Sequence, residues 1–284
     1  VRSEPVRPKI MGVLNVTPDS FSDGGRWLDP AEAVRHGLDL TAQGADLIDV
    51  GGESTRPGSR RVPVEVEQQR ILPVVRPLVA AGVSLSIDTM NAATALATAQ
   101  AGAAYVNDVS AGLADPDMLD AVSDTEAGLI LSHWRGLLTP GRAPAHYDDV
   151  VGEVLAELEL RVEAARAAGI DDSRLVLDPG LGFSKNAEHN WQIINGFARL
   201  LTLGLPVMIG ASRKRFIGRL LPAALREPDA DPETVLRAKD AATAAISALM
   251  AHRGVWGFRV HDVASTAAAL AAAGLFEPTE GESR

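Results

Sequence analysis

Short apolar runs of strand length recur along the whole chain, each followed by a longer segment with helical spacing. They lie at residues 10–16, 46–51, 83–87, 104–107, 128–132, 175–177, 207–209 and 257–260. Several are unbroken in Val, Ile and Leu, which suits strands covered on both faces in a parallel sheet. Between them, residues 30–43, 64–81 and 149–168 predict helices. In the last, Val150, Val154, Leu158, Val162 and Ala165 share one face while Glu and Arg take the other. Eight units in 284 residues leave about 35 residues each, the size of a βα unit. This is an α/β pattern, and eight repeats favour a closed (β/α)8 TIM barrel in a single domain over an open doubly wound sheet. The expected limits are a flexible segment at 1–9, the barrel at 10–275 and a disordered tail at 276–284. Residues 139–148 and 221–233 break the rhythm and read as surface insertions, the second lengthening the connection between strands seven and eight.

Composition narrows the partners. Apolar residues make up 46% of the chain, enough for a sizeable core, yet no run approaches the roughly 20 residues of a membrane span. With 27 Lys and Arg against 37 Asp and Glu, the net charge of −10 argues against a nucleic-acid surface and a polybasic membrane anchor. The absence of cysteine excludes disulfides, thiolate metal sites and a thiol nucleophile. Residues 1–9 lack the apolar core of a signal peptide, so a cytoplasmic protein is expected.

Polar residues gather where the predicted strands end. Asn15 closes the first, Asp49 and Glu53 frame the second, and Asp88 ends the third. Asn107 and Asp108 end the fourth, His133 and Arg135 the fifth, and Asp178 the sixth. Gly210, Ser212, Arg213 and Lys214 follow the seventh, and Arg259, His261 and Asp262 the eighth. Each alone suits a helix cap or a turn. Eight strand ends together, with both charge signs, point to one pocket at the carboxyl face of a barrel. One subsite suits an anion such as phosphate: Ser212, Arg213, Lys214, Arg259 and His261, with Thr55 and Arg56 from the second loop. The other, Asp88, Asn107 and Asp178, offers acceptors to the N–H edge of a flat heterocycle, with Lys214 donating from the far side. Two Gly-containing loops, 15–25 and 51–58, carry Phe21 and Pro57 and read as lids. His133 invites suspicion as a metal ligand, although a single His at a strand end is more often hydrogen-bonded structure. The Gly180-x-Gly182 element is weak without a nucleotide-binding fingerprint.

The motifs beginning Asn15-Val-Thr-Pro-Asp-Ser-Phe-Ser-Asp-Gly and Asp49-Val-Gly-Gly-Glu-Ser-Thr-Arg-Pro-Gly resemble dihydropteroate synthases. So do those at Ser86-Ile-Asp-Thr, Val106-Asn-Asp-Val, Leu177-Asp-Pro-Gly-Leu-Gly-Phe, Gly210-Ala-Ser-Arg-Lys and Arg259-Val-His-Asp. The likeness runs in order from Met11 to about Ala272. It implies a (β/α)8 barrel, a homodimer, and the Mg2+-dependent joining of hydroxymethyl-dihydropterin diphosphate to para-aminobenzoate, in an enzyme that sulfonamides target. It further implies Asn15 as the Mg2+ ligand. Asp88, Asn107, Asp178 and Lys214 would hold the pterin, with Gly210 and Phe183 beside it. Thr55, Arg259 and His261 would bind the diphosphate, with Ser212 in support, and Phe21, Arg56 and Pro57 would close over the aromatic amine. Asp88, Lys214, Arg259 and His261 carry the implied catalysis.

Two positions depart from the family pattern. Ser132 stands before the strand-five His where many members have Met, and Arg215 follows Lys214 where many have Ser. Arg215 would either reach the aminobenzoate carboxylate or turn outward. Methyl transfer from methyltetrahydrofolate is the rival enzyme reading, but it does not require the anion set. A pterin-binding paralogue without catalysis is the other rival, and the motif charges, all present, weigh against it.

Overall fold

Among the residues that the computed structural model describes, 7–17, 29–53, 61–136 and 145–274, eight parallel strands form one sheet. They are β1 (Lys9–Asn15), β2 (Leu47–Gly51), β3 (Leu85–Asp88), β4 (Tyr105–Asp108), β5 (Gly128–Ser132), β6 (Leu175–Asp178), β7 (Met208–Ile209) and β8 (Gly257–Val260). Neighbours follow the order β6-β5-β4-β3-β2-β1-β8-β7. A parallel bridge between Leu177 and Val207, with the Leu177 amide donating to the Pro206 carbonyl at 2.8 Å, joins the two ends. The result is the expected (β/α)8 barrel. Helices α1 (Pro30–Ala42), α2 (Val64–Ala80), α3 (Ala92–Gln100), α4 (Met118–Ser123) and α5 (Val150–Ala167) separate the first six strands. Next come α6 (Ala187–Asn195) and α7 (Phe197–Leu200) before β7, α8 (Pro232–Met250) before β8, and α9 (Val263–Gly274).

Strand boundaries differ from the sequence reading for local reasons. β2 begins after Asp46, whose carboxylate accepts the Ile10 amide and Arg7 at 2.7 Å each. β3 and β6 run one residue further and so end on Asp88 and Asp178. β7 shrinks to two residues, because Pro206 brings a carbonyl but no N–H to the ladder. The 221–233 stretch contains one short 3-10 turn, Ala223–Leu225, before Asp231 caps α8 and Pro232 starts it.

Strand alternation sorts the side chains into two sets. Ile10, Leu14, Ile48, Val50, Leu85, Ile87, Leu129, Leu131, Leu177 and Phe258 face the helices and are buried with them. Each contributes about 1.5–3 kcal/mol through burial. The opposite set packs inside the barrel, where Met11, Leu47, Ile130, Val176 and Met208 form a separate cluster with Tyr105 and Trp256 against it. One or two steps further along the same inner rows the side chains become polar, and the site begins there. No described helix is long and apolar enough to cross a membrane.

Candidate functional site

Register places the first part of the site. Asn15 pairs with Gly51, Gly51 with Asp88, and Asp88 with Asn107, so the four form one row at the carboxyl ends of β1 to β4. Ser132 and Asp178 pair in the same way on β5 and β6. Arg259 of β8 reaches this row. Its Nε donates to Asp49 Oδ2 at 2.6 Å and its Nη2 to Asp88 Oδ2 at 2.9 Å. Asn107 Nδ2 also donates to Asp49 Oδ2, at 3.2 Å. The other oxygens, Asp49 Oδ1, Asp88 Oδ1 and Asn107 Oδ1, are buried without a hydrogen-bond partner among the described residues. An unpaired buried acceptor costs about 1–3 kcal/mol, so this wall is built to receive N–H donors.

Burial dominates the electrostatics. It pushes Asp88 up to about 7; Arg259 opposes the shift, while Asp49, Glu67 and Asp108 reinforce it. Burial also works against the charge on Arg259, but Asp49 and Asp88 outweigh it and hold the guanidinium protonated. The pair is therefore a cation shared between two carboxylates, one of them close to neutrality.

The second part of the site faces the first across Gly210. A Cβ built on Gly210 would lie 3.5 Å from Asp178 Oδ2 and 3.8 Å from both Lys214 Nζ and Arg259 Cβ. Asp178, Lys214 and Arg259 thus converge around Gly210. Lys214 Nζ donates to the Leu181 carbonyl and sits 4.8 Å from the centre of the Phe183 ring, a cation–π contact. Burial lowers Lys214 to about 8, with Arg259 adding to the shift and Asp178 and Asp88 opposing it. Asp178 Oδ1 accepts the Gly180 amide at 2.7 Å, which anchors the loop carrying Leu181 and Phe183. Ser212 Oγ lies 3.0 Å from His261 Nδ1 and accepts the His261 amide at 3.2 Å, tying the ends of β7 and β8 together.

Several strand-end residues have other duties. Arg213, grouped by sequence with the anion set, adopts φ 60° and chelates Asp240 of α8 through two 2.8 Å bonds. Asp108 accepts the Ser110 and Gly112 amides, and Asp262 accepts the amide and hydroxyl of Ser265; both are turn or cap residues. His133 bonds to Glu157 and Lys185, not to a metal-ligand set. Arg215 is exposed. Phe21, Thr55, Arg56 and Pro57 lie outside the described residues.

Asp49 is the site residue that the sequence reading undervalued. Its signal was present, since a lone charge stands inside the apolar run Leu47-Ile48-Asp49-Val50. Lys185 gave no such signal; only the path of its loop buries it. As for a metal, no described cluster of three or more His, Asp or Glu is placed to hold one. Asn15 supplies a single amide oxygen at the mouth, 3.4 Å from where a Gly51 Cβ would stand, with Asp88 Cβ 3.5 Å away on the other side. One hard oxygen donor fits Mg2+, which takes its remaining ligands from water and substrate phosphate.

Residues 11–261 match the family model described as pterin binding enzyme. The chain is 51% identical over 273 residues to the dihydropteroate synthase of Mycobacterium leprae (strain TN), covering 94% of this chain and 93% of that one. It is also similar to the Xanthomonas albilineans dihydropteroate synthase solved with 4-aminobenzoic acid, at 48% identity and a TM-score of 0.81, covering 94% and 92% of the two chains. A structure of that enzyme with 7,8-dihydropteroate matches at 40% identity and a TM-score of 0.77, covering 94% and 92%.

Proposed function

We infer how the site works from the premise that this chain belongs to the pterin-binding enzyme family and, within it, to the dihydropteroate synthases. Its reaction is the transfer that makes dihydropteroate in folate biosynthesis. The substrates are hydroxymethyl-dihydropterin diphosphate and para-aminobenzoate, and pyrophosphate is the second product. One observation supports this assignment above the others. The unpartnered oxygens of Asp49, Asp88 and Asn107 adjoin Arg259, which gathers with Lys214 and Asp178 around Gly210, so groups suited to a flat donor edge and to an anionic tail lie side by side.

In this reading Asp88 and Asn107 accept N–H groups of the pterin, Asp178 takes part from the opposite wall, and Phe183 packs beside the ring. Arg259 and His261 bind the diphosphate, with Ser212 fixing the His261 ring. The bond between the pterin methylene carbon and the bridging oxygen breaks, and its electron pair leaves with pyrophosphate. Charge left on the methylene spreads into the ring, where the Asp88 carboxylate stabilises it. The neutral aminobenzoate nitrogen donates its lone pair to the methylene and loses a proton to solvent. Asn15 would hold Mg2+, which supplies charge neutralisation at the leaving diphosphate when bound. Excluding water matters, because water would otherwise capture the cation.

The rival methyl transfer is not favoured, since the relatives are synthases. The resemblance further supports a cytoplasmic homodimer in which sulfonamides compete with aminobenzoate. The test is a pyrophosphate-release assay with the pterin diphosphate, with and without aminobenzoate and Mg2+. Amine-dependent release matched by dihydropteroate formation is the expected result. Pterin binding without turnover would overturn the reading.

A further inference from the structure

Behind the site lies a chain of charged and polar groups, buried at Lys185 and His133, that the reaction above does not use. Lys185, 5% exposed, aims its Nζ at three acceptors: His133 Nδ1 at 2.8 Å, the Gly180 carbonyl at 3.0 Å and the Phe183 carbonyl at 3.2 Å. An ammonium has three donors, so all are used. Because His133 Nδ1 accepts, the ring proton belongs on Nε2, which donates to Glu157 Oε2 at 3.0 Å. His133 is 2% exposed, and burial, together with Lys185 and Arg135, lowers it to about 2, so the ring stays neutral. Arg135 then holds Glu157 through its Nε, at 3.0 and 3.1 Å to the two oxygens, and lies 4.0 Å from the centre of the Tyr147 ring.

This chain closes on the loop after β6. Gly180 has φ 65°, and a Cβ there would collide with the His133 carbonyl, so the loop crosses the tip of β5 in direct contact. The same loop carries the Leu181 carbonyl that receives Lys214 Nζ and the Phe183 ring beside it. We propose that Lys185, oriented by His133 and Glu157, is a positioning residue: it clamps the β6–α6 loop and thereby sets Phe183 and Lys214 for the substrates. Its burial and bonding to protein atoms leave it no contact with the reacting groups. The proposal rests on the synthase reading.

The clamp is sensitive to protonation. Burial lowers Lys185 to about 7, with Lys214 and Arg135 pressing the same way and Asp178 and Glu157 opposing. His133, the remaining titratable neighbour, is neutral throughout. Above that pH the amine keeps two donors for three acceptors, so the loop loosens as pH rises.

The test compares the wild type with Lys185→Met and His133→Asn in the same pyrophosphate-release assay from pH 6 to 8.5, with thermal melts of each. Lys185→Met is expected to stay folded, to lose about 10- to 100-fold in kcat/KM, mostly through KM, and to lack a wild-type inflection in KM near pH 7. His133→Asn, whose amide oxygen can replace Nδ1 as acceptor, should retain that inflection and most of the activity. A folded Lys185→Met with wild-type KM and pH profile would overturn the proposal. So would the unfolding of both variants, which would make the chain a folding element only. An inactive wild type would instead bring down the synthase reading, and the positioning role with it, so the two failures are told apart by the wild-type lane.

Discussion

Asp88 shows how one side chain is stressed for use. It is buried beside Asp49, Glu67 and Asp108, and its carboxyl titrates near 7 in the fold against 3.8 outside it. A raised carboxyl pKa stabilises the fold below 3.8 and loses that contribution as pH rises toward 7, at about 1.4 kcal/mol per pH unit. Asp88→Asn should therefore flatten stability between pH 4 and 7, and denaturant melts at pH 5 and 8 would show it. The same substitution should lower kcat more than pterin binding, because the charge is needed as the methylene cation forms; equal losses in both would contradict that role. In the wild type, kcat, measured apart from the KM effect of Lys185, should rise through about pH 7 as Asp88 ionises and fall above about 8 as Lys214 loses its proton, and Asp88→Asn should lose the acid limb.

Elements matter here mainly through how their ends are fastened. The turn after β7 places Ser212 and Lys214 on either side of Arg213, a non-glycine residue in the left-handed region held by its two bonds to Asp240. Asp240→Ala would remove the carboxylate that holds that guanidinium through two bonds at a partly buried site. The expected cost is about 3 kcal/mol in chemical denaturation. A fall in kcat/KM should accompany it, since Ser212 and Lys214 lose their frame; full activity in the folded variant would show that α8 does not set the turn. The helices themselves were readable from periodicity, and Asp149 and Asp231 cap α5 and α8 where the pattern begins. The partner of Arg213 was not readable. Basic residues after an apolar strand look alike whether they bind phosphate or a helix 27 positions away.

Across the whole molecule the barrel is not equally strong around its circumference. β1 pairs with β2 over five residues, whereas β6 and β7 meet through one bridge beside Pro206. Peptides spanning 205–210 should exchange amide hydrogens sooner than peptides spanning 47–51, as measured by mass spectrometry. Bound pterin should narrow the difference, because Asp178 and Gly210 stand on the two sides of that seam. Equal exchange at both places would show that the thin ladder is braced elsewhere.

The architecture and most of the row of polar strand ends are legible in the amino-acid order, because period-2 and period-3.6 patterns are local and each strand's apolar residues state which faces are covered. That order also placed Asn15, Asp88, Asn107 and Asp178 at carboxyl ends, since strand length sets where a side chain emerges. Which of these groups pair with one another follows from the folded chain alone. Arg259 finds Asp49 across 210 positions of chain, Arg213 turns away to Asp240, and Lys185 is buried against His133. Such contacts depend on how the barrel closes and how its loops cross one another, and those distances are not encoded in any short stretch of residues.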